Sequence, residues 1–269
     1  MRGVATREVL MCRPEHFTVS YSINPWMHPQ EPTDTGRALA QWDALHRIYL
    51  DLGFEVHRID PIPGLPDMVY AANGGLVFDG IAYGARFRYP QRQPEAPAYN
   101  ARFAELGLRL VEAEETNEGE GDILMVGERF LAGSGFRTDP AAHAELARLS
   151  GREVVTLRLV DPRFYHLDTA LAVVDGERDL IAYLPAAFDE PSLEILRSLY
   201  PDAILATQRD AEVFAMNAYG DGEHLVIAAQ ARDLPAQLRE RGVEPIGVDL
   251  SELLLGGGGV KCCTLEIRR

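Results

Sequence analysis

Residues 75–113 read GLVFDGIAYGARFRYPQRQPEAPAYNARFAELGLRLVEA, and the way this stretch is punctuated decides the fold. Two strand-like runs flank Asp79 and Gly80, a pair suited to the positive φ angles of a tight hairpin turn. A helical stretch from Glu95 to Leu106 follows, and LRLVEA from Leu108 reads as a third strand. The unit is two strands, a helix and a strand.

The same unit recurs along the chain. ILMVGERFLAG is followed by a helix opened by Asp139 and Pro140 and closed by Gly151, then by EVVTLRLV from Glu153. TALAVVDGERDLIAY precedes a helix from Asp189 to Tyr200 with Pro191 in its first turn, then DAILA from Asp202. AMNAYGDGEHLVIAA precedes a helix from Asp233 to Arg241, with Gly242 after it, and then VEPIGVDL. The two ends supply a fifth copy: a strand CCTLEIRR from Cys262, a strand REVLMCR from Arg7, a helix from Asp34 to Asp51, and FEVHRI from Phe54. Five units in 269 residues give a period of roughly 54, in the range of propellers and solenoids. Pairing the C-terminal strand with the N-terminal one completes both end units. The expected fold is an α/β, five-bladed propeller of ββαβ repeats forming one domain over residues 1–269, since no linker or charge block divides it.

Lys and Arg number 26 against 41 Asp and Glu, a formal net charge of −15. This balance argues against nucleic acid and anionic membranes as partners. The first twenty residues contain no apolar signal core, and no window approaches the ~18 apolar residues of a membrane helix, so an unprocessed cytoplasmic protein is expected. Cys12, Cys262 and Cys263 are an odd number without metal-ligand spacing, which argues against a disulfide framework and a structural metal. Lys261, the one lysine, lies directly beside Cys262.

In a closed ring, the loop entering each hairpin lies at the same end of the axis. These loops read LPDMVYAANGG, TNEGEGDI, RFYHLDTA, DAEVFAMN and LLLGGGGVKCC, so carboxylates, a histidine, amides and a cysteine converge. Cys262 follows Gly256 to Gly259 at the start of the last strand, where alternation sends one of Cys262 and Cys263 to the axis and the other into packing. A nucleophilic Cys262, activated by Lys261 or an imidazolium, competes with the reading of both as buried core residues. His166 occupies an equivalent position, and strand periodicity puts Asp168 on the same side. Glu118, Glu120 and Asp122 crowd one loop and Asp67 another; such carboxylates need a cation, and a guanidinium matches them through paired hydrogen bonds. Arg92 and Arg137 follow hairpins, where they are placed to take a substrate carboxylate.

The motifs SINPWM, LPDMVYAANGG, EGEGD, GSGFRTD, YHLDTALAV and GGGGVKCCTLEIRR together resemble the guanidine-modifying, or pentein, superfamily of arginine deiminases, dimethylargininases, glycine amidinotransferases and arginine dihydrolases. The resemblance implies a five-bladed propeller with its site on the pseudo-fivefold axis and no cofactor or metal. It implies Cys262 as nucleophile and His166 as general acid and base. Asp67 and Asp168 would lie on the guanidinium, and Arg92 and Arg137 on the α-carboxylate. Glu118 is implied as the acid of the third loop, although EGEGD is one residue longer than the deiminase pattern and leaves Glu120 as the alternative. Asn24 and Asn73 resemble the arginine dihydrolases, which convert arginine to ornithine, carbon dioxide and ammonia. Hydrolysis of dimethylarginine to citrulline is the second reading and an amidinotransferase the third, weakened by Lys261 where that group is expected to carry His. A non-catalytic binding protein on the same fold is the alternative from another class. An exposed propeller face suits a homodimer.

Overall fold

The computed structural model describes residues 7–269. Among them lie fifteen strands: β1 Glu8–Cys12, β2 Glu55–Ile59, β3 Gly75–Phe78, β4 Ile81–Gly84, β5 Arg109–Val111, β6 Ile123–Val126, β7 Arg129–Ser134, β8 Val154–Arg158, β9 Leu171–Asp175, β10 Leu180–Tyr183, β11 Ile204–Leu205, β12 Tyr219–Gly220, β13 His224–Ala228, β14 Glu244–Val248 and β15 Leu265–Ile267. They form five three-stranded sheets, ordered β3-β4-β5, β6-β7-β8, β9-β10-β11, β12-β13-β14 and β15-β1-β2.

Each sheet pairs its first two strands antiparallel and its last two parallel. A tight turn can join the first pair, whereas a parallel return needs a crossover. The crossovers are the helices Thr35–Asp51, Ala96–Glu105, Pro140–Ser150, Glu190–Leu199 and Leu234–Glu240. Local chemistry sets their limits: Asp34 and Asp189 accept the amides of Arg37 and Ser192 as N-caps, and Gly151 takes a left-handed conformation at φ 68° to end the third. Asp79 and Gly80, at φ 49° and 70°, make the expected hairpin turn between β3 and β4. The ring closes where Val9 of β1 stands opposite Glu266 of β15. The first strand of each sheet is innermost: β15 lies beside β3, β6 beside β9, and β9 beside β12. This α/β, five-bladed propeller agrees with the repeat count in the sequence.

Two local expectations are corrected. The last strand begins at Leu265, so Cys262 and Cys263 lie in a turn whose amides are taken by Asn217 Oδ1 and the Gly259 carbonyl. His166 does not open a strand; it precedes a helical turn, Leu167–Ala170, whose first amide donates to Asp122 Oδ1 at 3.1 Å. Strand alternation therefore does not relate His166 to Asp168, or Cys262 to Cys263. No helix of the described residues is long and apolar enough to cross a membrane.

Candidate active site

The loops entering β3, β6, β9, β12 and β15 bring Asp67, Asn73, Glu118, His166, Asp168, Asn217 and Cys262 to one end of the axis, all of them buried. The Cys262 sulfur lies 3.3 Å from Asp168 Oδ2 and 3.2 Å from Asn217 Nδ2. Asn217 also accepts the Cys262 amide through Oδ1 at 3.0 Å and donates to the Asp168 carbonyl at 3.1 Å. One carboxamide thus fixes both the sulfur and the residue facing it. The glycine run lets this turn sit tightly: a Cβ on Gly258 would stand 2.4 Å from the Tyr70 ring, and Gly257 has φ +86°.

His166 and Glu118 form a second pair, with Nε2 at 2.7 Å from Glu118 Oε2. Arg137 donates to the same oxygen at 2.8 Å and is held between the rings of Tyr89 and Tyr165, 4.6 Å from each centroid. Burial alone would raise the Glu118 pKa, but Arg137 and the His166 bond hold it well below the usual carboxylate range. A carboxylate so firmly ionised requires His166 to carry its proton on Nε2, which leaves Nδ1 to exchange protons with a guest. Glu120 is occupied elsewhere: Lys261 Nζ at 2.6 Å, Arg268 at 2.7 Å and the Glu266 amide at 2.9 Å bind its carboxylate. The geometry favours Glu118 over Glu120 beside His166, and it commits Lys261 to Glu120 and the Thr264 carbonyl.

A third group centres on Asp67, whose Oδ2 accepts from Tyr21 at 2.9 Å. Arg92 donates to Glu95 through Nε and Nη2, to Asn73 Oδ1 at 2.6 Å and to the Asp67 carbonyl at 3.1 Å. Those four bonds leave Arg92 one N–H for any guest, so it braces Asp67 and Asn73. Asn24 donates to the Tyr165 hydroxyl and the Gly256 carbonyl, pinning the irregular segment 13–34 over the site.

Four buried polar atoms of this site have no partner among the described residues: Asp67 Oδ1, Asn73 Nδ2, His166 Nδ1 and Asp168 Oδ1. Buried polar atoms left alone are costly, so their collection in one place makes this the candidate binding site. Burial pushes Asp168 up to about 7, against the pull of Lys261. Burial and then the Asp168 charge hold the Cys262 thiol well above its ordinary range. Burial also raises Asp67 despite Arg92 nearby. A cation entering here relieves all three groups.

Asn217 is the residue of this set that the sequence reading did not nominate. Its signal was positional: it ends DAEVFAMN, the fourth of the five entering loops, as Asp168 and Cys262 lie in the third and fifth.

No family model matches the sequence. The chain is 56% identical over 266 residues to the N(G),N(G)-dimethylarginine dimethylaminohydrolase of Mycobacterium tuberculosis, spanning 99% of this chain and 87% of that one. It is 37% identical over 266 residues to the bifunctional arginine dihydrolase/ornithine cyclodeaminase ArgZ of Synechocystis, spanning 96% of this chain and 37% of that longer protein. The crystal structure of the ArgZ N-terminal domain, a cysteine-to-serine variant bound to substrate, matches with a TM-score of 0.93 at 35% identity, covering 98% of both chains.

Proposed function

The chain belongs to the guanidine-modifying superfamily, and on that footing we propose that it hydrolyses the guanidinium of arginine through Cys262, in two rounds, to ornithine, carbon dioxide and two ammonia. It is a hydrolase of C–N bonds in linear amidines. We read residues 1–269 as one catalytic domain. The observation that carries the choice of substrate is the set of unpartnered atoms. Asp67 Oδ1 and Asp168 Oδ1 are acceptors, and an unmethylated guanidinium offers N–H donors to both. A dimethylated nitrogen offers none.

In this reading the guanidinium lies flat between Asp67 and Asp168 with its central carbon facing the Cys262 sulfur. The cation offsets the burial that keeps the thiol protonated, so the nucleophile is activated by the substrate itself. The thiol passes its proton to His166 Nδ1 as the sulfur bonds to carbon; Nδ1 then gives that proton to the departing nitrogen, the C–N bond breaks, and ammonia leaves an amidino-thioether. Water then attacks the same carbon as His166 Nδ1 takes its proton, and the thiol is expelled with citrulline as product. Glu118 keeps the imidazole oriented, with Nε2 turned to its carboxylate. In the second round the sulfur attacks the ureido carbon, the second ammonia leaves a thiocarbamate on Cys262, and water releases the carbamate of ornithine, which breaks down to carbon dioxide and ornithine. Asn73 Nδ2, a donor with no partner, suits the ureido oxygen that exists only in this round. Arg137, with N–H groups to spare, is the better placed of the two arginines for the α-carboxylate.

A second reading, hydrolysis of dimethylarginine to citrulline and dimethylamine, is favoured by the 56% identity to the M. tuberculosis protein. Mass spectrometry of products from arginine, citrulline and asymmetric dimethylarginine separates them, with Cys262→Ala as control. Ornithine from arginine, lost in the control, is expected. Citrulline from dimethylarginine with arginine untouched would replace the dihydrolase reading by the second, and turnover surviving in Cys262→Ala would refute the mechanism.

A further inference from the structure

The far end of the propeller axis holds a funnel of about 790 Å³. The inner strands run from the catalytic loops towards their hairpin turns, so the turns at Gly127 and Glu128, at Asp175 to Asp179 and at Gly220 to Gly222 line its mouth. In the fifth sheet no turn joins β15 to β1, and Arg7 and Arg268, which flank that end of the two strands, line the funnel instead.

The floor of the funnel is rich in hydrogen-bond donors. Lys261, Arg7 and Arg268 bear three positive charges against Glu120 and Glu266, a balance of +1. Arg7 spends one N–H on Glu266 at 2.7 Å. Arg268 gives one bond to Glu120 and one to Glu266, so that among the described residues both arginines keep N–H groups unspent. The Tyr219 hydroxyl stands among the charges of Glu266, Arg7 and Arg268, and it has no partner among the described residues although the residue is only 6% exposed. Its ring is locked edge-on against Tyr49 and Phe54, so the hydroxyl cannot swing to solvent. The mouth is acidic on balance: Glu128, Glu153, Asp175 and Asp179 line it, with Arg152, Arg129 and Arg178 paired to the first three.

We propose that this funnel is a second ligand site, separate from the catalytic one, for a small zwitterionic acid. Its carboxylate lies on Arg7, Arg268 and the Tyr219 hydroxyl, and its ammonium end faces the acidic mouth. A guanidinium fork with a neutral donor beside it is suited to a carboxylate, and the acidic rim disfavours a second negative charge. The site is wired to the catalytic end. A carboxylate on Arg268 competes with Glu120, Glu120 is the partner of Lys261 Nζ, and the Lys261 amide donates to the Asn217 carbonyl one residue before Cys262.

The test is calorimetric titration of the intact protein with three six-carbon probes: 6-aminohexanoate, hexanoate and adipate. Saturable binding is expected, tightest for 6-aminohexanoate and weakest for the dianion adipate. Tyr219→Phe and Arg7→Gln should each weaken it about tenfold, the worth of one hydrogen bond to a charged group, with turnover of the unliganded enzyme unchanged. The probe should also alter the rate at which iodoacetamide alkylates Cys262, read by peptide mass spectrometry, and Tyr219→Phe should abolish that effect. The alkylation readout does not depend on which guanidine compound is the substrate. No saturable binding, adipate binding tightest, or binding that survives both variants and is lost in Asp67→Asn would overturn the site. An alkylation rate indifferent to bound probe would overturn the coupling.

Discussion

Replacing Asp168 by Asn should make the empty protein more stable at pH 8 while removing its activity. Asp168 is fully buried, and burial raises its carboxyl from the ordinary 3.8 to about 7. A carboxyl with a raised folded pKa contributes its stability below the unfolded value and loses it as pH rises through the folded one. The loss therefore runs between about pH 4 and pH 7. A shift of about three units is worth about 4 kcal/mol, none of it discounted for solvent screening. Asn presents the same shape with no charge to desolvate, so Asp168→Asn escapes the loss. The melting temperatures of variant and parent should lie close at pH 4, part up to about pH 7 and level off by pH 8, at a gap of about 8–16 °C at the usual ~2–4 °C per kcal/mol for chains of this size. Scanning calorimetry of both proteins across that range is the assay. A bound guanidinium should narrow the gap at pH 8, because the parent's carboxylate then has its counter-ion. A melting difference that does not vary with pH, or one that narrows from pH 4 to pH 8, would refute the reasoning.

Other outcomes follow from the same geometry. Asn217→Ala strips hydrogen bonds from the buried Cys262 amide and Asp168 carbonyl, at about 1–3 kcal/mol for each orphaned group; melting should fall and turnover drop at least tenfold, and a variant within twofold of the parent would count against a positioning role. Glu118→Gln leaves Arg137 buried without its carboxylate, at about 3–5 kcal/mol, and should cut kcat more than KM; Glu120→Gln should instead show its main effect in melting, and the reverse pattern would restore Glu120 as the acid. Gly121→Ala puts a Cβ 2.3 Å from Asn73 Nδ2 and 3.2 Å from His166 Nδ1, so activity should fall in a protein that still folds, which kinetics beside circular dichroism will check.

The propeller was legible because its punctuation is local. Asp79-Gly80, Asp34, Asp189 and Gly151 each act on their own neighbours, and each does so in the structure. Asp139 shows where such reading thins: it precedes the helix Pro140–Ser150 as expected, yet its side chain caps nothing and pairs with Arg88 instead. The closure of the ring was readable by elimination, since each terminal unit lacked what the other supplied.

The site was legible as a set of loops and less so as a geometry, because its local shapes are imposed from other blades. Alternation put His166 and Asp168 on one face of a strand; the Asp122 carboxylate, from the preceding blade, instead takes the Leu167 amide and turns the backbone helical. His166 consequently meets Glu118 while Asp168 meets Cys262. The same holds for the last strand, where Asn217 from the fourth blade takes the Cys262 amide that a strand would have paired. In both places a polar side chain satisfies a backbone N–H and so breaks the regular element just before it reaches the axis. Propensity carries no trace of such a bond, since donor and acceptor are 45 residues apart in either case. The residues that spoil the strands are those that aim the chemistry: Asn217 holds the sulfur, and Asp122 sets the turn that carries Asp168.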